Sequence, residues 1–125
     1  MKFRNQRHQE LFTKAISRLD RQNYTLMAVV YLFSADRRLW DMAEKGICYS
    51  GVDFSRIQLH NCTEGMYALY GAAKDLYFGT DIVVLGDLAD SEVVAPKVFK
   101  IICNAIAICR VGLDAIHFKQ RKDNK

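Results

Sequence analysis

Apolar side chains that recur every three to four residues constrain the fold of this chain more than any other feature. Such spacing places the side chains on one face of an α-helix. The first segment of this kind covers residues 5 to 19 and contains Leu11, Phe12, Ala15, Ile16 and Leu19. It predicts an amphipathic helix, and Asn5 is a suitable N-cap because its side-chain oxygen can accept a free backbone N–H of the first turn.

The next two segments also predict helices. Residues 24 to 33 are apolar on nearly every face. This pattern fits either a buried helix or a buried strand, and the length of the run favours the helix. Ser34 or Asp36 can cap a third helix, for which Gly46 is a natural C-terminal stop.

Two longer helices are predicted in the second half of the chain. One follows Asn61 or Thr63, either of which can be its N-cap, and stops at Gly79. The other begins close to Pro96, which lacks a backbone N–H and therefore suits a first turn, and it ends by Gly112. Its nearly all-apolar face predicts the central helix of the fold.

Residues 47 to 60 do not follow the helical pattern. β-Branched and aromatic residues surround a Ser-Gly pair there, which predicts either an irregular loop or a short hairpin. Residues 81 to 90 are predicted to be a connector. The segments together predict a mainly α fold, a compact bundle of about five helices, in a single domain over residues 1 to 125. Residues 119 to 125 are predicted to form a flexible basic tail.

The composition predicts a cytoplasmic protein without a membrane partner. No apolar run approaches the roughly 18 residues needed to span a bilayer. The first ten residues carry charges where a signal peptide needs an apolar core. The four cysteines have irregular spacing, and we expect free and mostly buried thiols at Cys48, Cys62, Cys103 and Cys109.

Several short patterns resemble a family of small proteins. The opening M-K-F-x-N-x-x-H consists here of Met1, Lys2, Phe3, Asn5 and His8. The second helix adds Tyr31, Leu32 and Ser34. Later matches are Ala73, Leu76, Tyr77 and Gly79, then Val84, Leu85 and Asp87. The family, a domain of unknown function, occurs in Gram-positive bacteria, their phages and integrative elements. The resemblance covers residues 1 to 110 and implies a helical fold and a mobile-element setting, without transferring an active site.

The charge of the chain is unevenly distributed. The formal net charge is +4, and residues 75 to 92 contain carboxylates but no Lys or Arg. The N-terminal region supplies a candidate contact surface, the basic stripe, which consists of Arg4, Arg7, Lys14, Arg18 and Arg21. From residue 7 onward the intervals are seven, four and three, so these side chains can lie opposite Leu11, Phe12 and Ile16. The alternative is that the basic stripe contacts only solvent.

Aromatic residues of the fourth helix supply a second candidate surface. Tyr67, Tyr70 and Tyr77 repeat with helical spacing, and Phe78 follows them. Tyrosine combines apolar area with a hydroxyl group, so these side chains can form a platform for a base or a partner protein. The alternative is core packing, with one or two hydroxyl groups at the surface.

Catalytic and metal-binding patterns are weak throughout the chain. His60 and Cys62 could supply a base and a thiol nucleophile, and Cys48 could join them as a zinc ligand. However, neighbours in sequence rarely face each other correctly, and no C-x-x-C knuckle is present. The carboxylates of residues 81 to 92 match no EF-hand loop and suit a helix N-terminus. The sequence therefore predicts no catalytic residue, no metal and no cofactor.

These features predict a non-enzymatic protein that binds a macromolecular partner, with a protein favoured over a nucleic acid. The expected contact residues are Arg4, Arg7, Lys14, Arg18, Arg21, Tyr67 and Tyr70. The mobile-element setting implied by the resemblance makes an inhibitor of a host defence nuclease, an anti-CRISPR-like protein, one specific form. Its partner would be a nucleic-acid-processing enzyme. The alternative is a nucleic-acid-binding accessory or regulatory protein that uses the basic N-terminal helix and tail.

Overall fold

The computed structural model describes residues 2 to 116, and within this range it confirms the predicted mainly α fold. The six α-helices of the described residues are α1 (Gln6–Ile16), α2 (Tyr24–Ser34), α3 (Arg37–Ala43), α4 (Glu64–Phe78), α5 (Leu85–Ala89) and α6 (Pro96–Val111). A hairpin of β1 (Ile47–Cys48) and β2 (Gly51–Val52) joins α3 to α4. The tail predicted for residues 119 to 125 lies outside the described residues.

Short polar side chains begin four of these helices. Asn5, Asn23 and Asp36 accept hydrogen bonds from backbone N–H groups in the first turns of α1, α2 and α3. Thr63 caps α4 by accepting from the N–H of Met66 at 3.2 Å. Asn61, the rival cap in the sequence, instead has a left-handed backbone conformation with φ of 54°. Each cap satisfies a backbone donor that has no partner within the helix.

The central helix is α2, and the prediction that α6 is central was wrong. Nine of the eleven residues of α2 are buried, and α2 packs against α1, α4 and α6. Helix α6 buries one face only, and Phe99 and Ile106 on its other side are 39% and 45% exposed. The difference follows from charge, because α2 has none, whereas α6 carries Lys97, Lys100 and Arg110.

The irregular segment forms the short hairpin that was one of its two predicted structures. Ile47 pairs with Val52 in an antiparallel register. Gly46 precedes the hairpin because a Cβ there would lie 2.7 Å from the carbonyl oxygen of Asp53. The predicted connector, in contrast, contains the five-residue helix α5, which is too short to produce a periodic pattern.

The thiols are free, as predicted, but the expectation that most are buried was wrong. Cys48 and Cys103 are exposed, and Cys62 and Cys109 are partly exposed. Cys103 lies on the outward side of α6. Cys48 follows Ile47 in the two-residue strand β1, and because Ile47 packs against the core, Cys48 faces the opposite side. No helix among residues 2 to 116 has the length and hydropathy required to cross a membrane.

Candidate partner-binding surface

Three arginines of the basic stripe have partners within the protein. Arg4 donates to the carbonyl oxygen of Ala35 at 3.3 Å and lies 3.8 Å from the carboxylate of Asp36. Arg18 lies 3.7 Å from the carboxylate of Glu44, and Arg21 donates to the Ile16 carbonyl oxygen at 3.4 Å. These contacts connect the stripe to the ends of α1 and α2 and to the chain around α3. They also reduce the positive charge that the stripe offers to a partner.

Two residues of the stripe, Lys14 and Arg18, line a groove of about 290 Å³ between α1 and α3. Arg7 is exposed. The groove also contains Leu11 and Trp40, so Leu11 lies beside the stripe and not opposite to it as predicted. The reason is that Leu11 is one helical turn from Lys14, at the edge of the buried face. Carboxylates from Asp41 and Glu44 line the same groove, which therefore has mixed charge.

A second groove of about 380 Å³ lies between α4 and the segment that follows it, and we call it the acidic groove. Its large exposed apolar side chains are Tyr67, Ile82 and Val93, with exposures of 53%, 49% and 50%. Its remaining apolar lining comes from Ala68, Val83 and Val94. Its charged lining residues are Glu64, Asp87 and Glu92. The groove therefore combines an apolar surface with carboxylates.

Asp75 fixes the backbone of the segment that forms one wall of this groove. Its carboxylate accepts hydrogen bonds from the N–H groups of Ile82 at 2.8 Å and Val83 at 2.7 Å. The hydroxyl group of Thr80 donates to the same carboxylate at 2.5 Å. Gly71 allows the segment to approach α4, because a Cβ at that position would lie 2.6 Å from Ile82 Cγ2. The wall is therefore held by hydrogen bonds and close packing.

The three tyrosines proposed as a platform are divided between the surface and the interior. Tyr67 points into the acidic groove and is exposed. Tyr70 stacks on Phe33, with ring centroids 6.1 Å apart, and partial burial raises the pKa of its hydroxyl group. The Tyr77 hydroxyl oxygen accepts a hydrogen bond from the Val52 N–H at 3.1 Å, which ties α4 to the hairpin. Of the three, Tyr67 offers the largest surface to a partner.

The structure does not assemble the thiol site considered from the sequence. The Cys62 thiol donates to the backbone carbonyl oxygen of His60 at 3.7 Å, so the contact involves the main chain and not the imidazole. His60 is exposed and lines a groove with Arg38 and Lys45. Among residues 2 to 116, no group of three or more His, Cys, Asp or Glu side chains is arranged to hold a metal ion.

Sequence reasoning missed a hydrogen-bonded cluster around the buried side chains of His8 and Tyr31. We call it the N-terminal cluster, and it consists of Lys2, Phe3, His8, Tyr31 and Asn104. His8 is 1% exposed, and its Nδ1 accepts a hydrogen bond from the Arg4 N–H at 2.9 Å. This contact leaves the proton on Nε2, which donates to the Tyr31 carbonyl oxygen at 2.8 Å. Burial lowers the pKa of His8 to about 4, so the imidazole is neutral at physiological pH.

The Tyr31 hydroxyl group completes this cluster. It donates to the Lys2 carbonyl oxygen and accepts from Asn104 Nδ2 at 3.0 Å. Burial raises the pKa of Tyr31 to about 12, so its proton stays in place. The opening pattern, with Tyr31 and Ser34, was the signal for this cluster, since Phe3 lies 5.1 Å from the His8 ring. These pattern residues therefore serve the fold of the N-terminus.

Comparisons with known proteins identify no relative for this chain. No family model, curated protein or solved structure matches it. On the described surface, the mixed-charge groove beside α1 and the acidic groove beside α4 each combine apolar and charged side chains.

Proposed function

We propose that this chain is a non-enzymatic accessory protein that acts by binding a protein partner through the acidic groove. The exposed side chains of Tyr67, Ile82 and Val93 carry this proposal, because they lie together in one groove and are each about half exposed. Contiguous exposed apolar side chains with a polar border are typical of protein-binding surfaces. Tyrosine is also among the residues that most often dominate the binding free energy.

The charges favour a protein partner over a nucleic acid. A phosphate backbone is bound by Lys and Arg side chains that are free to displace counterions. In the basic stripe, Arg4 and Arg18 instead lie beside Asp36 and Glu44. The acidic groove would repel phosphate groups. Arg7 and Lys14 are the stripe residues whose side chains have no hydrogen-bond or ion-pair partner among the contacts described for residues 2 to 116.

The mobile-element setting implied by the resemblance gives the proposal a specific form, an inhibitor of a host defence nuclease. Enzymes that process nucleic acids bind phosphates through basic surfaces. A groove that combines carboxylates with apolar side chains complements such a surface in charge. In this form the protein occupies a nuclease surface and needs no catalytic group of its own.

Site-specific photo-crosslinking in a host cell tests the proposed surface. A photoreactive phenylalanine analogue at position 67 should give a discrete adduct with a protein, because Tyr67 lies in the acidic groove. The matched control places the same analogue at position 49, where Tyr49 is 66% exposed in the hairpin. Equal adducts from both positions, or adducts from position 49 alone, would contradict the proposal.

Two further measurements address the kind of partner. In fluorescence anisotropy with random duplex DNA at physiological salt, we expect Kd no tighter than about 10 μM, which is in the non-specific range. Sub-micromolar binding that is lost in Arg7→Ala with Lys14→Ala would instead establish the nucleic-acid alternative. For the inhibitor form, expression of the protein should restore plasmid transformation in cells with an active CRISPR nuclease. Expression of Tyr67→Ala should restore it less.

A further inference from the structure

We infer that the occupant of the acidic groove is a basic amphipathic helix of the partner protein, with apolar side chains on one face and Lys or Arg beside them. This inference rests on the proposed function and names the chemistry of the partner. It follows from the charge around the groove, from the apolar side chains within it, and from the hydrogen bonding of its backbone.

The charge around the groove is negative and partly unpaired. Residues 75 to 96 contain five carboxylates and no Lys or Arg. The carboxylates of Asp75 and Asp87 accept hydrogen bonds from backbone N–H groups. Glu64 and Glu92 line the groove, and their side-chain carboxylates have no hydrogen-bond or ion-pair partner among the contacts described for residues 2 to 116. Their charges are therefore available to Lys or Arg side chains of an occupant.

The apolar side chains come from two sides of the groove. Tyr67 projects from α4, while Ile82 and Val93 lie on the segment between α4 and α6. Val94 is 3% exposed and forms part of the buried base. An occupant must therefore present apolar side chains on one face and basic side chains at its borders, which is the pattern of a basic amphipathic segment.

The backbone of the groove favours a helix over an added β-strand. A strand binds through free N–H and C=O groups along a sheet edge. The N–H groups of Ile82 and Val83 already donate to Asp75, and the N–H of Val84 donates to the Asp87 carboxylate at 3.4 Å. Side chains are therefore the main contact groups of this wall, as in recognition of a helix by a groove.

Two model peptides test this inference on the purified protein. Both have about 18 residues, or five helical turns, with Leu at the same amphipathic positions. One peptide has Lys at all of the remaining positions, and the other has Glu at all of them. We expect the Lys peptide to bind at least about tenfold more tightly at low salt, with a smaller difference at high salt because the charges are screened. Amide shifts of the isotope-labelled protein should map its binding to the acidic groove.

Matched variants separate this site from general attraction between charges. Tyr67→Ala and Glu92→Lys should each weaken binding of the Lys peptide by about tenfold, which corresponds to about 1.4 kcal/mol. Tyr49→Ala and Glu10→Lys make the same chemical changes at exposed positions outside the groove and should leave binding unchanged. Circular dichroism and melting temperatures should confirm that all four variants fold.

Three results would overturn the inference. Equal binding of the Lys and Glu peptides would show that the groove does not select its occupant by charge. Equal weakening by the control variants would show that the peptide has no specific site. Sedimentation of the protein alone as an oligomer that Tyr67→Ala dissociates would assign the groove to a second copy of this chain. The crosslink from position 67 distinguishes the two claims, because a protein adduct without Lys-peptide binding refutes the basic helix and retains the proposed function.

Discussion

The N-terminal cluster and the acidic groove use polar and apolar groups in opposite ways. In the cluster, both ring nitrogens of His8 and the hydroxyl group of Tyr31 have hydrogen-bond partners inside the protein. In the groove, Tyr67 and Val93 remain half exposed, and the carboxylate of Glu92 has no partner among the contacts described for residues 2 to 116. The first arrangement contributes to stability, because buried polar groups are costly unless they are paired.

This difference separates residues that hold the fold from residues that can bind a partner. Changes in the cluster should alter stability, and changes at exposed groove side chains should alter binding with little effect on stability.

The largest difference in stability is expected between two variants that each place a carboxylate on α6, one on its buried side and one on its exposed side. Ile102 is 2% exposed, so Ile102→Asp buries a carboxylate without a partner and should unfold the domain or destabilise it by at least about 3 kcal/mol. Ile106 is 45% exposed, and Ile106→Asp should cost less than about 1 kcal/mol. Urea unfolding measures both. Similar losses in the two variants would contradict the assignment of an outward face to α6.

The next effect is a dependence of protein stability on pH, caused by His8. Its pKa in the folded protein is about 4, below the ordinary value of 6.5. Between these values the unfolded chain binds a proton that the folded protein excludes. The contribution of His8 to the free energy of unfolding should therefore be fully present above pH 6.5. It should decrease by about 3 kcal/mol as the pH falls to about 4.

Urea unfolding between pH 7 and pH 5 measures this effect before most carboxylates titrate. His8→Gln should be less stable at pH 7, because it loses part of the hydrogen-bond network, and its stability should depend less on pH. His60→Gln is the matched control, since His60 is exposed in the folded protein, and it should retain the wild-type dependence. An unchanged slope in His8→Gln would refute the role of this imidazole.

The helices were predictable from sequence because their signals are local. The apolar spacing in α1 and α4 and the caps at Asn5 and Asp36 depend on residues within one or two turns. It was harder to predict which helix is the most deeply buried, since both α2 and α6 are rich in apolar residues. The charges of α6 were the available signal for its outward face.

The sites were harder to predict because they depend on contacts between distant residues. Asn104 meets Tyr31 across 73 positions of the chain. The sequence identified Tyr67 and the run of carboxylates separately, but it gave no indication that they border one groove. That arrangement requires Gly71, whose missing side chain admits Ile82 against α4. A single glycine in a helical pattern does not reveal which segment will approach it.

Substitution of Gly71 tests this packing and should have an intermediate effect. A Cβ there would lie 2.6 Å from Ile82 Cγ2 and 3.1 Å from Val83 Cγ2, so Gly71→Ala must displace these side chains of the groove wall. We expect a loss of about 2 kcal/mol, typical of overpacking. Gly86→Ala in α5 is the control, because no atom lies within 4 Å of its new Cβ. It should be neutral or stabilising by up to about 1 kcal/mol through helix propensity.

The two glycine variants also distinguish packing from flexibility of the chain. A general loss of glycine flexibility would stabilise both proteins slightly, because alanine restricts the unfolded chain. Only a collision at Ile82 would destabilise Gly71→Ala alone. Amide shifts confined to residues 80 to 84 and their neighbours on α4 would locate the displacement, and a stable Gly71→Ala protein with unchanged shifts there would contradict the described contact.

The smallest effect is expected at the basic stripe. Arg18 and Glu44 form an ion pair at 3.7 Å, but their side chains are 64% and 51% exposed. Arg18→Ala should therefore cost no more than about 0.5 kcal/mol, because water and salt screen exposed pairs. Thermal unfolding at low and high salt measures this, with Lys14→Ala as the control that removes a nearby charge without an assigned ion pair. A loss as large as that of Gly71→Ala would mean that the stripe supports the fold, and it would then be no more available to a partner than the N-terminal cluster.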